Sequence, residues 1–358
     1  AREQDDGANW WRAAYLFGFL RAHAGFYWLG NIHFAPWWGV SLGSSIIFVL
    51  CFEGTLRWLK PVPYALRAGI GWVLYEWAHS WFFGGFPWLY VAHTQYRALP
   101  VIQIADLVGA YGVTFLMVFL QAAVFNLLRR RRFSLELPVA AAMLIATLLY
   151  GFTRIEKAEG PRPSFLMVQS AFPHSVKKYT RVSRREVFNI LMDLTAEGLE
   201  QHPDTDLVIW PETMHPIPLV ETEPRRFESA ARAFAQRFGK PVIYGINVYP
   251  DREHIRKARS YNAVILADAQ GRLSEPYLKQ RLVPMGEEFL PRRFLPPETA
   301  DAAMEWLHEN IGYPRTVDLL RGDRAIVLDA GEGLRCGPLI CFEGLYADLA
   351  RKAVQAGE

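Results

Sequence analysis

The stretch LVGAYGVTFLMVFLQAAVFNLL, residues 107–128, carries no charged side chain over its whole length. An α-helix needs about 20 consecutive apolar residues to cross the hydrocarbon core of a bilayer, which is roughly 30 Å thick. The stretch is therefore predicted to be a transmembrane helix, and this part of the chain is predicted to lie in a membrane.

Five segments of residues 1–155 are predicted to span the membrane as a multi-pass α-helical bundle. The first is the weakest, because Arg21 and His23 lie in its middle, although its leucine and aromatic content favours a helix in or on the membrane. The predicted spans are residues 13–34, 35–52, 68–92, 107–128 and 137–153.

The third predicted span contains Glu76, an acidic side chain at membrane depth. Such acids usually line a cavity or form a pair, so Glu76 is expected either to pair with His79 or Arg97 or to contact a substrate.

Residues 84–104 combine glycine, proline and aromatic side chains. They fit either a re-entrant loop at a lipid-accessible cavity or an outer loop anchored by interfacial Trp and Tyr.

The basic residues of the short loops predict the orientation of the bundle. Arg129–Arg132 lie between the last two predicted spans, and Arg57, Lys60 and Arg67 lie between the second and third. Short loops rich in Lys and Arg stay in the cytoplasm, so the rest of the chain after the fifth span is predicted to lie outside it. The first ten residues are polar and show no cleavable signal peptide.

Composition excludes several other classes of protein. Hydrophobic residues make up 51% of the 358 residues and charged residues 21%, which is not the composition of a disordered chain. The net charge is only +3 and no basic stripe is present, so no nucleic-acid partner is expected. Three cysteines cannot form a disulfide framework, and their spacing fits no zinc or haem site, so no cofactor is expected.

Residues 160–358 alternate short apolar runs with amphipathic segments, a pattern typical of an α/β sandwich. The segment 179–201 has helical spacing, and 227–238 is a second helix closed by Gly239. The runs predicted to be strands are residues 164–169, 207–210, 241–248, 262–267, 277–278 and 336–341.

Three polar residues lie just past these runs: Glu212 in LVIWPET, Lys279 in EPYLKQRLVPMGEE and Cys341 in GPLICFEGLY. Strand ends in α/β folds present side chains to a shared crevice. A thiol, a carboxylate and an amine together can perform acyl transfer. The thiol is the nucleophile, the carboxylate takes its proton and the charged amine stabilises the oxyanion.

Each of these residues also has an ordinary interpretation. A single Glu after a strand is usually a solvated turn or a cap, a lone Lys is usually on the surface, and a free Cys is usually a small buried hydrophobe. Cys51 and Cys336 are assigned to that last class. The combination of the three, in a domain without a GxSxG, HExxH or GxxxxGK motif, favours a catalytic site.

The motifs WPET (210–213), LKQRLVPMGEEFLP (278–291) and LICFE (339–343) follow a bundle that contains WVLYEWAHSWFFGGFPWL (72–89) and GAYGVTFL (109–116). In that order they resemble the apolipoprotein N-acyltransferases, membrane-bound members of the nitrilase, or carbon–nitrogen hydrolase, superfamily. The resemblance covers nearly the whole chain.

The resemblance implies a multi-pass α-helical membrane bundle (1–155) followed by a nitrilase-like αββα sandwich domain (160–358). It implies a Glu-Lys-Cys triad at Glu212, Lys279 and Cys341, on the periplasmic face of the bacterial inner membrane. It also implies transfer of a fatty acyl group from a phospholipid, through a cysteine thioester, to the N-terminal amine of the diacylglyceryl-cysteine of apolipoproteins. Ping-pong kinetics would follow from the thioester intermediate.

Three further residues match the family's motifs and are expected to support the triad. Glu287, in PMGEE, is expected to orient Lys279 or the base. Glu343 matches the acid that follows the catalytic cysteine, whereas Phe342 replaces the family's tyrosine and so lacks its hydroxyl. The backbone N–H of Phe342 can still serve the oxyanion.

By analogy with the family, about two spans before residue 13, the last strands of the catalytic domain and a final membrane helix are expected to be missing from this sequence. Residues 289–325 are rich in Pro and Arg without clear periodicity. They are expected to be loops over the cleft, either a functional lid or simple surface loops.

Two other functions compete with acyl transfer. The first is a membrane-tethered nitrilase-type amidase, in which water rather than an amine resolves the acyl-enzyme. A hydrolase needs only an anchor, however, so several spans and an aromatic outer loop favour substrates that arrive from the bilayer. A transporter is disfavoured because intramembrane charges are few and no inverted repeat is apparent.

Overall fold

A computed structural model describes residues 9–130, 134–155, 162–169, 184–213, 215, 218–256, 259–314 and 318–357. The chain divides into two compact units. The first contains residues 1–159 and 292–314, and the second contains residues 160–291 and 315–358. Each unit is described by itself.

The first unit is helical. Helix α2 continues without a break through a π-helical turn, Val49–Glu53, into α3. Short 3-10 turns at Tyr27–Asn31, Phe82–Gly84 and Val91–Gln95 connect the longer helices. The helices are α1 (Trp10–Gly25), α2 (Phe34–Phe48), α3 (Gly54–Trp58), α4 (Tyr64–His79), α5 (Leu99–Ile102), α6 (Ala105–Arg130) and α7 (Glu136–Arg154).

Within the residues that the structure describes, three helical stretches are long and apolar enough to cross a membrane: Phe34–Trp58, Ala105–Arg129 and Glu136–Arg154. They correspond to the second, fourth and fifth predicted spans. Helix α6 is interrupted near its start at Gly109, whose φ of 65° and ψ of −176° are not helical. Glycine tolerates this conformation because it has no Cβ.

The first and third predicted spans are not continuous helices. Helix α1 ends at Gly25, and the chain continues as a 3-10 turn. Helix α4 ends at His79, so the prediction of one helix over 68–92 is wrong. Gly84 and Gly85 follow with φ of 85° and 83°, and Pro87 offers no backbone N–H, so this segment cannot continue a helix.

The side chain of Glu76 is buried and bonded, but not to the partners that the sequence suggested. Its Oε1 accepts hydrogen bonds from Trp72 Nε1 at 3.1 Å and Val91 N at 2.7 Å, and its Oε2 accepts one from Thr114 Oγ1 at 2.7 Å. His79 Nδ1 instead lies 2.7 Å from the carbonyl oxygen of Phe86. The expected pair with His79 or Arg97 is therefore wrong. The carboxylate of Glu76 instead links the segment that follows α4 to helices α4 and α6.

The first unit also contains an ordered helix in the region where the sequence predicted only loops. After a short 3-10 turn, Leu290–Arg293, helix α11 runs from Pro297 to Ile311. Its start follows the extended Pro296, and Gly312 ends it in the left-handed conformation. His33 Nε2 lies 2.9 Å from the carbonyl oxygen of Ile311, which ties the end of this helix to the start of α2. The expectation of loops throughout 289–325 is wrong.

The second unit is built on a six-stranded mixed sheet in the order β1-β2-β4-β5-β6, with β3 also paired to β4. A two-stranded antiparallel sheet, β7-β8, accompanies it. The strands are β1 (Phe165–Met167), β2 (Leu207–Ile209), β3 (Leu219–Val220), β4 (Val242–Tyr249), β5 (Tyr261–Ala267), β6 (Tyr277–Leu278), β7 (Leu328–Asp329) and β8 (Arg335–Cys336). The helices are α8 (Arg184–Gln201), α9 (Arg225–Phe238), α10 (Arg252–Arg256) and α12 (Ala347–Gly357).

Apolar side chains on both faces of the large sheet explain its long uncharged strands. On one face, Trp210, Tyr244 and Ile246 pack with residues of α8 and α9 such as Leu191 and Phe234. A second cluster joins β2, β4 and β5 to Leu328 of β7, with Cys336 of β8 at its edge. The second unit therefore contains a helix layer and two facing sheets, as an α/β sandwich requires.

The strand predictions hold with small shifts at their ends, except for the last. The run 336–341 is a strand only at Cys336. A 3-10 turn, Cys341–Leu345, starts after the extended Ile340. The helix predicted over 179–201 is described from Arg184 onward, because residues 170–183 lie outside the described part of the chain.

Candidate active site

Glu212 lies in the loop that connects strands β2 and β3. Strand β2 pairs with the start of β4, β3 pairs with its end, and Glu212 lies between them. At Gly245 of β4, a Cβ atom would clash with the carbonyl oxygen of Pro211 and lie 2.6 Å from the Cα of Glu212. The loop can therefore press against β4 only because residue 245 is glycine. Thr213, directly after Glu212, has a φ of 52°, a conformation unusual for a residue with a Cβ.

Lys279 directly follows β6 and is fully buried. Its backbone N–H donates to the carbonyl oxygen of Asn262 at 2.9 Å, and its carbonyl oxygen accepts from Gly322 N at 2.9 Å. These two hydrogen bonds fix the backbone of Lys279. They therefore also fix the position from which its side chain extends.

Two carboxylates surround this ammonium group. Lys279 Nζ lies 2.8 Å from Glu287 Oε1 and 3.5 Å from Glu212 Oε1. The other oxygen of Glu287 accepts from Val283 N at 2.9 Å, which fixes the carboxylate in its own loop. Burial alone lowers the pKa of the Lys279 ammonium, but the nearby charges of Glu287 and Glu212 outweigh it and raise the pKa overall. The amine is therefore a cation at neutral pH.

Cys341 begins the 3-10 turn with a φ of 51°, in the left-handed region that residues with a Cβ rarely adopt. Such strained backbone is concentrated at functional sites. The residue is exposed, and its sulfur is close enough to Glu212 and Lys279 for both charges to act on it.

The surroundings of Cys341 raise the pKa of its thiol. Partial burial of the sulfur and the charge of Glu212 raise this pKa, whereas Lys279 and the backbone N–H of Phe342 act in the opposite direction. A raised pKa means that the thiol must lose a proton before it can attack a carbonyl. A nearby carboxylate such as Glu212 is the kind of group that can accept this proton.

Glu343 joins the segment after β6 to the turn that carries Cys341. It is fully buried. Its Oε1 accepts from Gln280 N at 2.6 Å and Arg281 N at 3.0 Å, and its Oε2 accepts from Tyr277 Oη at 2.8 Å and Ile340 N at 2.9 Å. Glu343 thus links the residues that follow Lys279 to the residue that precedes Cys341.

Phe342 is buried, and its ring packs edge-on against Tyr346 with 5.3 Å between ring centroids. Its ring has a packing role, while its backbone N–H is directed to the Cys341 sulfur. The structure therefore brings together Glu212, Lys279, Cys341 and Glu287, with Glu343 and Phe342 behind them. Among the described residues, no group of three or more His, Cys, Asp and Glu side chains is arranged to hold a metal ion.

Asn262 of β5 also belongs to the site, although it was not predicted from the sequence. Its Nδ2 donates to Glu212 Oε1 at 2.6 Å and lies 3.5 Å from Glu287 Oε1. A signal was present, since Asn is depleted in strands and here interrupts the apolar strand YNAVILA. What the sequence could not indicate was that this side chain faces the carboxylates on other loops.

Family models match both halves of the chain. Residues 1–123 match the apolipoprotein N-acyltransferase N-terminal domain, and residues 176–358 match the carbon-nitrogen hydrolase model. Proteins named apolipoprotein N-acyltransferase are similar along nearly the whole chain. That of Geobacter metallireducens is 29% identical and that of Rickettsia prowazekii 25% identical, over 97% and 96% of this chain. The chain spans 68% of the length of each.

The crystal structure of a carbon-nitrogen hydrolase from Helicobacter pylori G27 is also similar to part of the chain. The two align with a TM-score of 0.36 and 17% sequence identity, over 55% of this chain and 56% of the other.

Proposed function

Since the chain belongs to the carbon–nitrogen hydrolase family, in its apolipoprotein N-acyltransferase branch, we propose that it transfers a fatty acyl group to the N-terminal amine of lipoproteins. The observation that carries this proposal is the pairing of two family matches in one chain. An amidase of the same superfamily needs only the second match. The helical domain in front of it favours substrates that come from a membrane.

The proposed donor is a phospholipid, and Cys341 is the proposed nucleophile. Its sulfur attacks the ester carbonyl carbon of the donor while Glu212 accepts the thiol proton. Lys279 and the backbone N–H of Phe342 stabilise the negative oxygen of the tetrahedral intermediate. The C–O bond then breaks, the lysophospholipid leaves with the proton from Glu212, and a thioester remains on Cys341.

The second half of the reaction uses the same groups in reverse. The α-amine of the diacylglyceryl-cysteine at a lipoprotein N-terminus attacks the thioester carbonyl, and Glu212 accepts a proton from the amine. The C–S bond breaks, the proton passes to the sulfur, and an amide leaves with the thiol restored. This chemistry requires no metal ion or organic cofactor.

Dependence on the acceptor amine separates acyl transfer from the amidase alternative. Protein loaded with an acyl group from phospholipid is mixed with a diacylglyceryl-cysteine peptide, and products are followed by mass spectrometry. We expect the thioester to disappear as an N-acylated peptide forms, while a peptide with an acetylated amine leaves the thioester in place. Free fatty acid released at one rate with either peptide or with none would instead identify a hydrolase.

The proposed location is the bacterial inner membrane, with the catalytic domain in the periplasm. The three long apolar helices support a membrane location, and the basic residues of the loops support this orientation. Part of the Arg129–Arg132 cluster lies outside the described residues, so this argument rests on the sequence.

Reporter fusions test the orientation. A reporter that works only in the cytoplasm is expected to be active when fused after Arg132, and a reporter that works only in the periplasm when fused after Lys157. Between these points lies α7, which is expected to cross the bilayer once. Activity of the same reporter at both positions would rule out this crossing and the periplasmic assignment.

A further inference from the structure

Asn262 contacts both carboxylates of the candidate site from the centre of the sheet. It is the second residue of β5, pairs in register with Asn247 of β4 and is 1% exposed. An ionised carboxylate only accepts hydrogen bonds, so the amide nitrogen of Asn262, not its oxygen, must face Glu212 and Glu287. The shorter contact, 2.6 Å to Glu212 Oε1, is within the range of a hydrogen bond to a charged group.

The amide oxygen of Asn262 is buried and has no hydrogen-bond partner among the residues that the structure describes. Burying an acceptor without a partner costs free energy, because the hydrogen bonds that it made to water are lost. The hydrogen bonds that the Asn262 side chain makes among these residues are therefore those of its N–H group with the carboxylates.

The contact leaves one oxygen of Glu212 available. Oε1 faces Asn262 at 2.6 Å and Lys279 at 3.5 Å, whereas Oε2 has no partner in the described part of the chain. A base that takes the thiol proton needs a free oxygen held in a fixed direction. A neutral N–H donor can hold the other oxygen without competing for the proton.

The charges around Glu212 make a neutral donor useful. Glu212 shares the Lys279 cation with Glu287, and Lys279 lies closer to Glu287. Lys279 therefore holds the carboxylate of Glu287 more closely than that of Glu212. The N–H group of Asn262 supplies the shorter contact that holds Glu212 in place.

We propose that Asn262 is a positioning residue that orients Glu212 as the base for Cys341. The proposal rests on the proposed function, since it assigns Asn262 a role through Glu212. It adds to the triad a fourth polar group, carried by the strand next to the Lys279 segment.

The test measures acylation of Cys341 by a soluble probe, p-nitrophenyl butyrate, in protein purified in detergent. Each acylated cysteine releases one nitrophenolate, so the burst rate reports acylation without a lipid or a lipoprotein. Asn262→Ala is expected to lower the burst rate on the order of 10-fold to 100-fold at neutral pH. Asn262→Asp keeps the shape, replaces the donor by a third carboxylate and is expected to lose at least as much.

Two readouts distinguish positioning from a merely structural role. The midpoint of thermal unfolding is expected to stay the same in Asn262→Ala, whereas the loss of a structural side chain would lower it. In a Glu212→Gln background, Asn262→Ala is expected to cause no further loss, because residues that act through one group are not additive. Asn247→Ala, on the paired strand, is the matched control and should leave both readouts unchanged.

The outcomes separate this proposal from the proposed function. A normal burst in Glu212→Gln would show that Glu212 is not the base. This result would overturn the proposed role of Glu212 and, with it, that of Asn262. A large loss in Glu212→Gln with a normal burst in Asn262→Ala would overturn the role of Asn262 alone. A loss in Asn262→Ala that adds to the loss in Glu212→Gln and comes with a lower unfolding midpoint would also overturn it, because it would reveal a structural role.

Discussion

Replacing Cys341 by alanine is expected to abolish the formation of an acyl-enzyme. The proposed thioester needs the sulfur of Cys341, and no other group of the candidate site is a comparable nucleophile at neutral pH. After incubation with phospholipid, the intact mass of the unsubstituted protein should increase by one acyl chain. Neutral hydroxylamine, which cleaves thioesters, should remove the increment, and Cys341→Ala should never acquire it.

The two other cysteines provide matched controls. Cys51 lies in the π-helical turn of the first unit and Cys336 in β8, and burial raises the pKa of the Cys336 thiol. Cys336→Ala and Cys51→Ala should therefore acylate normally. An adduct that persists in Cys341→Ala would place the nucleophile elsewhere in the chain.

Glu212→Gln and Lys279→Met are each expected to lower the acylation rate roughly 10²-fold to 10³-fold. Glutamine keeps the size of Glu212 but cannot accept the thiol proton. Methionine keeps the stem of Lys279 but lacks the charge that stabilises the oxyanion. The measurement is the initial rate of thioester formation by mass spectrometry, with thermal unfolding to confirm that each variant is folded.

A glutamate and a lysine that do not belong to the triad serve as controls for these substitutions. Glu288 follows Glu287 directly but pairs with Arg321 at 2.7 Å rather than with Lys279. Lys240 donates to backbone carbonyl oxygens of Pro203 and Thr205, away from the site. Glu288→Gln and Lys240→Met should keep near-normal rates. Near-normal acylation in Glu212→Gln or Lys279→Met would remove that residue from the triad.

Local patterns predicted most of the elements of the second unit, because a strand buried on both faces is an apolar run whatever its neighbours are. The positions of Glu212 and Lys279 just past β2 and β6 were predictable for the same reason. The contact between Asn262 and Glu212 was not, since it depends on how β4 and β5 pair and on the lack of a side chain at Gly245. Such contacts are set by tertiary packing rather than by periodicity.

Errors in the first unit have a physical cause as well. Average apolarity predicts that 68–92 is one span, but α4 ends at His79 and the backbone at Gly84 and Gly85 is not helical. Composition also suggested loops for 289–325, because the Pro and Arg residues at 291–297 stand out more than the apolar positions of α11. Two of them, Ala300 and Met304, are buried and are four residues apart, which is the spacing of one helix face.

The four hydrogen bonds of Glu343 have a consequence for how such a protein can vary. One carboxylate joins Gln280 and Arg281 to Ile340, so the spacing between the amine and the thiol is set without the chain that connects them. Insertions or deletions between residues 292 and 314 would then leave the dimensions of the reactive centre unchanged, because Gly322, which holds the backbone of Lys279, lies after them. The length of this connecting segment can therefore vary between related sequences without a change in the reactive groups.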